Sequence, residues 1–391
     1  MARLILRRHR EGRILAGHPW VYRSEVAELV GPHRPDEAVT VLDWEGTFLG
    51  RGFYNPRAQI VCRLLTRQDE PIDPAFFRRR LEAAWAYRRQ LGLDGDATRA
   101  VFSEADRLPG LIVDRYGEYA VLACLTRGME RQAEVLAEAV EAVLGVRGVY
   151  RRADPAAARI EGLEGASGWV RGSGVREVEI REGPLRFTVD LEAGQKTGFY
   201  LDQRENREAV AARAAGREVL DAFCYTGAFA CWALARGARA ALAVDTSADA
   251  LARARRHAEA NGFADRLEVE AANAFDLLRR LERDGRRFDL IILDPPPFTR
   301  RKSALESAVR GYKEINLRAF RCLRPGGLLA TFSCSHHVSP ALFEETLHAA
   351  AADAGVTARL LAALTQARDH PVLLTVPETR YLKGLLLEVI E

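Results

Sequence analysis

The chain has 391 residues, of which 48% are hydrophobic and 28% are charged, and its formal net charge is +3. Its length predicts two or three domains, and this composition is typical of a soluble protein with real hydrophobic cores. The six cysteines include no C-x-x-C pair, so neither a zinc site nor a disulfide framework is indicated. The N-terminal residues lack an apolar run long enough for a signal peptide or a membrane helix. We therefore expect a reduced, cytoplasmic protein with no bound metal and no membrane partner.

Residues 1–70 predict a small β-rich domain. Short apolar runs separated by Gly, Asn and Pro turns indicate strands at 39–43, 47–50 and 60–65. Trp20 and Tyr22 stand beside Arg23 near the start of this segment. Either these rings stack on a nucleic-acid base or they fill a small core.

Residues 71–175 predict an α+β middle domain. An apolar stripe along 75–91 indicates an amphipathic helix with arginines on its opposite face. A strand, a helix and a second strand are then predicted at 119–126, 130–144 and 149–151. Four arginines of this segment face either RNA or solvent, namely Arg115, Arg127, Arg151 and Arg152.

Residues 176–391 predict an α/β domain built on a doubly wound, mostly parallel sheet. A hairpin around Gly183 precedes a regular alternation of strands and helices. The predicted parallel strands are 218–222, 240–245, 267–270, 288–293 and 327–332. Two further strands, near 360 and at 382–389, close the sheet.

Two of these strands end in residues that carry chemistry. The run 288–293 leads into Asp294-Pro295-Pro296-Pro297-Phe298, and the run 327–332 leads into Ser333-Cys334-Ser335. Both runs are nearly continuous in apolar residues, which favours buried parallel strands. Ligands bind at the carboxyl edge of such sheets. We therefore expect a carboxylate and a thiol side by side, a pairing suited to chemistry on a flat nitrogenous ring.

The loop after the first parallel strand, residues 221–227, predicts a nucleoside site. Only Gly227 remains of the G-x-G-x-x-G pattern that lets backbone approach a pyrophosphate, which argues against a nicotinamide cofactor. Asp245 ends the next strand, where a carboxylate can bind ribose hydroxyls. S-adenosylmethionine fits, because it is an adenosine without phosphates. Asn273, after the third strand, either contacts adenine or caps the next helix.

Cys334 is the candidate nucleophile because it lies at a strand end between two serines. Cys224 competes with it but belongs to the nucleoside loop. The other four cysteines lie in apolar or helical runs and are interpreted as core thiols: Cys62, Cys124, Cys231 and Cys322. A thiolate that attacks C6 of cytosine makes C5 nucleophilic, and Asp294 is placed to stabilise the charge that develops on the ring.

Several residues near Asp294 are candidates for binding a nucleic acid. Phe298 could stack on a base that has left its helix or loop. The basic residues could bind phosphates, although each could equally be a solvated surface residue. The predicted substrate site comprises Phe298, Arg300, Lys302, Arg310 and Lys313.

Taken together, these motifs resemble one family, the bacterial PUA-domain methyltransferases that convert cytidine to 5-methylcytidine in 23S ribosomal RNA (the RlmI-like group). The similarity covers nearly the whole chain, and the order and spacing of its motifs are highly specific. The matching stretches are His18-Pro19-Trp20-Val21, Leu108-Pro109-Gly110-Leu111, Gly194 to Arg204, Tyr225-Thr226-Gly227, Asp294-Pro295-Pro296, Arg310-Gly311-Tyr312-Lys313 and Ser333-Cys334-Ser335.

The resemblance implies three domains: a PUA fold at 1–70, an α+β domain at 71–175, and a class I S-adenosylmethionine-dependent methyltransferase domain with its hairpin at 176–391. It also implies a homodimer that acts on ribosomal RNA, with Cys334 and Asp294 as the catalytic residues. The implied cofactor site comprises Gln203, Arg204, Asp221, Phe223, Tyr225, Thr226, Gly227, Asp245, Asn273, Ala274 and Asp294. Gln203 and Arg204 would close over the methionine part.

Two positions depart from the family pattern. Asn273 stands where many relatives have Asp, and Pro297 stands where many have Lys. Two other functions stay open at this point. One is methylation of a base nitrogen without a covalent intermediate, which the Asp-Pro-Pro-x-Phe loop also suits, and the other is a non-catalytic RNA-binding assembly factor.

Overall fold

The chain folds into two units, each with its own sheets and hydrophobic cores. In this computed structural model, residues 2–34, 37–192, 194, 197–299 and 302–390 are described. Unit 1 comprises Met1–Ile180, Val189–Leu201 and Arg368–Arg380, and unit 2 comprises Arg181–Thr188, Asp202–Ala367 and Tyr381–Glu391. Every helix among these described residues is too short or too polar to cross a membrane.

The N-terminal module of unit 1 is a six-stranded sheet, which confirms the predicted β-rich segment. Its strands are β1 (Arg3–Leu6), β2 (Trp20–Tyr22), β3 (Val26–Val30), β4 (Ala38–Leu42), β5 (Phe48–Tyr54) and β6 (Ile60–Thr66), with the short helix α1 (Gly12–Leu15) after β1. They pair in the order β2-β6-β5-β4-β1-β3. Alternate residues of β4, Val39 and Val41, point inward and pack with Leu4 and Leu6 in one core.

The second sheet of unit 1 has five strands in the order β11-β10-β9-β8-β7. Its strands are β7 (Ala97–Phe102), β8 (Leu111–Tyr116), β9 (Tyr119–Cys124), β10 (Gly148–Arg151) and β11 (Gly168–Arg171). Its helices are α2 (Pro74–Gln90), α3 (Arg127–Arg131), α4 (Ala133–Leu144) and α5 (Pro155–Glu161). The predicted helix 130–144 is thus two helices, because Gln132 leaves the helical region at φ −97° and ψ 9°.

Helix α2 follows the predicted amphipathic pattern with one correction. Asp73 caps it by accepting a hydrogen bond from the Phe76 N–H at 2.8 Å. Its apolar stripe is buried in the core, as predicted. Arg88, which the pattern assigns to the solvent face, is fully buried, because its guanidinium donates to Asp106 at 2.5 and 2.7 Å. A paired carboxylate makes the burial of this charge tolerable.

The seven-stranded sheet of unit 2 is doubly wound, as predicted. The hairpin strands β12 (Glu177–Glu182) and β13 (Leu185–Asp190) precede it in the chain. Its own strands are β14 (Glu218–Ala222), β15 (Ala240–Asp245), β16 (Leu267–Ala271), β17 (Phe288–Leu293), β18 (Leu323–Ser333), β19 (Ala358–Thr365) and β20 (Lys383–Val389). Its helices are α6 (Arg204–Ala211), α7 (Ala228–Ala235), α8 (Ala248–Ala260), α9 (Ala274–Arg283), α10 (Leu305–Arg321) and α11 (Pro340–Ala354).

The strand order of this sheet is β16-β15-β14-β17-β18-β20-β19, and β20 runs antiparallel to both of its neighbours, β18 and β19. The central strands are covered on both faces. In β17, Leu290 and Ile292 enter one hydrophobic core, while Ile291 and Leu293 enter the other. Such two-sided burial is the reason that these strands are continuous apolar runs.

In unit 1 the strand predicted at 47–50 runs on to Tyr54 as β5, and in unit 2 two boundaries differ by about four residues from the sequence-based expectation. Strand β18 begins at Leu323, four residues before the predicted start, and it runs through Pro325 and two glycines. Helix α6 ends at Ala211, short of the predicted end near residue 215. Neither shift moves a strand's carboxyl end, where the candidate site lies.

The tip of the hairpin is bonded to the first two helices of unit 2. Glu182 accepts hydrogen bonds from Arg207 and from the Trp232 indole, both at 2.7 Å. Gly183 turns the chain at φ +56°, and a β-carbon there would lie 2.7 Å from the Trp232 ring. The turn therefore requires glycine for both its conformation and its close packing.

Candidate active site

The carboxyl ends of β17 and β18 lie side by side, as predicted. The two strands pair in parallel, with Leu293 opposite Thr331. Asp294 and Cys334 follow these ends, and the Cys334 Sγ lies 3.9 Å from the carbonyl oxygen of Pro295. The thiol therefore lies against the loop that begins with the carboxylate.

Cys334 differs from the other cysteines in its accessibility. All six cysteines lie within the described residues, and five of them are buried while Cys334 is half-buried. Burial raises the pKa of Cys62, Cys124 and Cys231 to about 12. Burial, followed by the nearby carboxylates, also raises the pKa of Cys224 well above its usual value. A thiol must ionise to react, so Cys334 is the one suited to nucleophilic attack.

The loop that carries Cys334 is held on two sides. On one side, the Tyr312 hydroxyl of α10 lies 2.8 Å from the Ser335 Oγ. On the other, the Lys383 ammonium of β20 donates to the Ser335 carbonyl oxygen at 2.7 Å. These bonds fix the backbone after the thiol.

Asp221, at the end of β14, is a buried carboxylate with one unsatisfied oxygen. Its Oδ2 accepts the Ala230 N–H at 3.0 Å, whereas its Oδ1 has no hydrogen-bond partner among the described residues. Burial, helped by the charges of Asp294 and Asp245 and opposed by the Ala230 bond, raises the pKa of Asp221 to about 8. A buried, unpaired acceptor is costly, so this oxygen suits a ligand that brings a cationic donor.

The loop between β14 and α7 has an unusual backbone. Phe223 and Tyr225 lie in the left-handed region at φ +64° and +50°, beside Gly227 at φ +72°. Such residues cost of order 1 kcal/mol each and cluster at ligand sites. The Cys224 N–H bonds the Val244 carbonyl at 2.9 Å and holds the loop on the sheet. Thr226 is buried within the same loop.

Asp245, at the end of β15, orients this loop. Its Oδ2 accepts the Tyr225 N–H at 2.9 Å and its Oδ1 accepts the Ser247 N–H at 3.0 Å. Each carboxylate oxygen has a second lone pair, and the side chain is only half-buried. The two hydroxyls of a ribose could donate to these remaining acceptor positions.

Asn273 caps α9. Its side-chain oxygen accepts the Phe275 N–H at 2.9 Å, which confirms the capping role that the sequence left open. Asn273 is exposed, and Ala274 after it is buried. A contact from either residue to adenine stays a prediction.

Gln203 and Arg204 lie at the start of α6. Gln203 is buried, and its side-chain oxygen accepts the Asn206 amide at 2.6 Å. The Arg204 Nε lies 3.9 Å from the Glu182 carboxylate at the hairpin tip. Their predicted closure over the methionine part of the cofactor stays a prediction.

The predicted substrate residues differ in their surroundings, and the structure describes only some of their side chains. The Phe298 ring lies 4.5 Å from the Tyr312 ring. Arg310 is exposed on α10, and the Lys313 ammonium pairs with Asp353 at 2.7 Å. Arg300 and the side chain of Lys302 lie outside the part of the chain that is described.

Trp20 and Tyr22 of unit 1 are half-buried. They are thus neither fully packed in a core nor fully exposed for stacking on a base, the two alternatives that the sequence left open. The Trp20 indole donates to Glu104 at 2.8 Å, and the Arg13 guanidinium lies 4.4 Å from the centre of the Tyr22 ring. Both rings therefore already have partners within unit 1.

His257 of α8 is a site residue that the sequence did not indicate. Its Nδ1 lies 2.9 Å from the Thr226 carbonyl oxygen, and its Nε2 accepts the Thr188 N–H at 3.0 Å. Both bonds need the neutral ring with its proton on Nδ1. The only sequence signal is a polar residue on the apolar face of α8, three residues after Ala254 and six after Leu251.

This geometry predicts a pH effect on stability. Burial lowers the pKa of His257 below 6.5, so below that pH the unfolded chain takes up a proton that the native state resists. The free energy of unfolding should therefore fall as the pH drops below about 6.5, by at most about 1.4 kcal/mol per pH unit from this group. In His257→Asn this part of the pH dependence should vanish. Urea unfolding of both proteins between pH 5 and 8 measures it, and parallel curves would contradict this role.

Comparison with known proteins shows the family to which this chain is related. Residues 148–371 match an S-adenosylmethionine-dependent methyltransferase family, and residues 4–67 match a PUA-like domain. Ribosomal RNA large subunit methyltransferase I of Alteromonas mediterranea is 42% identical over 393 residues, covering 99% of both chains. The protein of the same name from Klebsiella pneumoniae subsp. pneumoniae is 41% identical over 392 residues, covering 99% of this chain and 98% of that one.

Solved structures show the same fold. SMU.776, described as a methyltransferase and complexed with SAH, superposes with a TM-score of 0.87 over 100% of both chains at 21% identity. The seven-stranded sheet of unit 2 is thus a class I methyltransferase sheet, mostly parallel with an antiparallel end, and the N-terminal module is PUA-like. The chain belongs to the ribosomal RNA large subunit methyltransferase I family of S-adenosylmethionine-dependent methyltransferases.

Proposed function

We propose that this protein methylates C5 of a cytidine in large-subunit ribosomal RNA, most simply 23S RNA or its precursor, through a covalent adduct with Cys334. The observation that carries the proposal is the position of Cys334. It is the accessible thiol of the six, and its sulfur lies 3.9 Å from the Pro295 carbonyl in the loop that follows Asp294. A nucleophile and a carboxylate at one sheet edge suit attack on a pyrimidine ring.

Ribosomal RNA is the substrate that the relatives support. Proteins at least 41% identical over nearly all of this chain carry the name of a large-subunit ribosomal RNA methyltransferase. The PUA-like module at 4–67 is a second domain available for binding RNA. We also propose that the boundaries of the three domains are 1–70, 71–175 and 176–391, that the protein acts in the cytoplasm, and that it forms a homodimer.

The residues of the β14–β15 edge suit S-adenosylmethionine. When bound, this cofactor supplies an electrophilic methyl carbon on a sulfonium. The unpartnered Oδ1 of Asp221 would accept a hydrogen bond from the amino group of the methionine part. Asp245 would bind the ribose, and the left-handed loop from Phe223 to Gly227 would lie beside it. We propose Gln203, Arg204, Asn273, Ala274 and Asp294 as the remaining contacts.

The thiol is needed because C5 of cytosine is a weak nucleophile. The Cys334 thiolate would bond to C6, and the displaced electron pair would make the ring an enamine whose C5 is nucleophilic. After methylation a base removes the C5 proton, the C5=C6 bond forms again and the thiolate leaves. Asp294 would hydrogen-bond the ring nitrogen and the exocyclic amine, and so stabilise the charge that develops on the ring.

The base must be extruded from the RNA to reach this edge. We propose that Phe298 stacks on it and that Arg300, Lys302, Arg310 and Lys313 bind nearby phosphates. Lys313 would have to exchange its partner Asp353 for a phosphate, because its ammonium is 2.7 Å from that carboxylate. Such an exchange is feasible at the surface, since exposed ion pairs contribute at most about 1 kcal/mol.

The proposal predicts the behaviour of Cys334→Ala. This variant should bind S-adenosylmethionine normally but form 5-methylcytidine at least about 10³-fold more slowly, since the attack on C6 is lost. Methyl transfer to large-subunit RNA, followed by mass spectrometry of the product nucleosides, measures the effect. Cys62→Ala, in the core of unit 1, is the matched control and should retain the activity.

Other outcomes of the same experiment would contradict the proposal. Full formation of 5-methylcytidine by Cys334→Ala would exclude the adduct. A product methylated on a base nitrogen would support the alternative reaction, and RNA binding without methyl transfer would support a non-catalytic factor.

The state of Asp221 predicts proton release on cofactor binding. At pH 7 the apo carboxyl is largely protonated, because burial raises the pKa of Asp221 to about 8. A cationic amino group beside it should expel that proton. Binding of S-adenosylmethionine should therefore release up to about one proton, measured by calorimetry in buffers of different ionisation enthalpy. Asp221→Asn should release less and bind about tenfold or more weakly; equal release by both proteins would contradict this role.

A further inference from the structure

Lys383 lies on β20, the strand that pairs with β18 and so neighbours the candidate nucleophile. It is the first residue of β20 and stands directly opposite Ser333 in the antiparallel pair with β18. Its ammonium donates to the Ser335 carbonyl oxygen at 2.7 Å. The ammonium therefore bonds the backbone of the residue that directly follows Cys334.

The Lys383 ammonium is half-buried without a carboxylate to neutralise it. Within the described part of the chain, its one polar partner is the neutral Ser335 carbonyl, and no Asp or Glu oxygen lies within 4.0 Å. Lys313 of the same unit, in contrast, pairs with Asp353 at 2.7 Å. A half-buried cation with only a carbonyl partner is destabilised unless an anion forms next to it.

The neighbour that can become an anion is Cys334. Burial lowers the pKa of Lys383 to about 8, and a negative charge on Cys334 acts in the opposite direction and raises it. By reciprocity, the ammonium favours ionisation of the thiol to the same extent that the thiolate favours the ammonium. The two groups therefore stabilise each other as an ion pair.

The choice of lysine fits this role. Of the 57 Lys and Arg residues of the chain only four are Lys, yet Lys occupies this position beside the thiol. Its ammonium is a compact point charge, whereas a guanidinium is planar and spreads its charge over a fork of donors. A point charge at the end of a flexible stem can follow the sulfur during attack and release.

We propose that Lys383 is a positioning residue whose ammonium stabilises the Cys334 thiolate. On ionisation the S–H bond breaks, the proton passes to solvent, the electron pair stays on sulfur, and Lys383 remains protonated. The inference rests on the proposed function, in which this thiolate attacks C6. It adds the cation that makes the thiolate available at neutral pH.

The other titratable groups around the thiol do not supply this charge. Burial raises the pKa of Tyr312, so its phenol stays neutral, and a negative Asp294 would oppose ionisation of the thiol. His336 and His337 are exposed beyond the loop, and the Tyr381 hydroxyl donates to Asp202 at 2.5 Å. Lys383 is therefore the residue of β20 that brings a positive charge to the Cys334 loop.

The test is the pH dependence of Cys334 alkylation by iodoacetamide in the full-length protein, without RNA or cofactor. Peptide mass spectrometry assigns the label to Cys334. The midpoint of the rise in rate should lie below about 8.5, the value for a free cysteine thiol. Lys383→Met should raise this midpoint by at least about one pH unit and so slow alkylation at pH 7 about tenfold.

Two variants separate charge from structure. Lys383→Arg keeps a cation and should keep the low midpoint. Arg359→Met removes an exposed cation, paired with Glu388 at 3.3 Å on the neighbouring strands, and should leave the midpoint unchanged. If Lys383→Met fails to fold, the wild-type midpoint decides, and a value at or above about 8.5 overturns the inference.

The outcomes also separate this inference from the proposed function. An unchanged midpoint in folded Lys383→Met overturns the ion pair, even if that variant forms 5-methylcytidine normally. A raised midpoint supports the ion pair, even if the wild-type protein forms no 5-methylcytidine, a result that would overturn the proposed function alone.

Discussion

The parallel pairing of β17 with β18 is the constraint on which the candidate site depends. Both strands are buried on two faces, so their register is set by hydrophobic packing on each side. A slip of one residue would turn every side chain of β17 to the opposite core. Since the register is fixed, the residues that follow the strands are fixed too, and Asp294 and Cys334 follow the ends of neighbouring strands.

The same sheet edge brings several charged side chains together. Asp221, Asp245 and Asp294 lie at the ends of three neighbouring strands, and burial, followed by repulsion from the other two carboxylates, raises the pKa of Asp221 to about 8. Lys383 is a half-buried cation near the thiol. A buried charge without a counter-charge is costly. In the proposed reaction, a cationic cofactor end would satisfy Asp221, and the Cys334 thiolate would satisfy Lys383.

Much of this arrangement could be predicted from the sequence, because continuous apolar runs that end in Asp or Cys indicate both the strands and their functional edge. The contributions of Lys383 and His257 could not. Lys383 reaches the thiol only because β20 returns antiparallel to β18, and no local pattern reveals which strand lies next to which. For His257 and Arg88, the helical periodicity indicates which face of the helix each residue lies on. It does not reveal the hydrogen-bond partner, which is the Thr226 carbonyl for His257 and the Asp106 carboxylate for Arg88.

The central claim is that the sulfur of Cys334 bonds to the pyrimidine. An RNA substrate with 5-fluorocytidine tests it, because the C5 fluorine cannot leave as a proton does and the adduct is trapped after methyl transfer. Wild-type protein with S-adenosylmethionine should form a covalent complex, and mass spectrometry of its peptides should place the nucleotide on Cys334. A protein that methylates unmodified RNA yet forms no such complex, or one that carries the nucleotide on Cys224, would contradict the account.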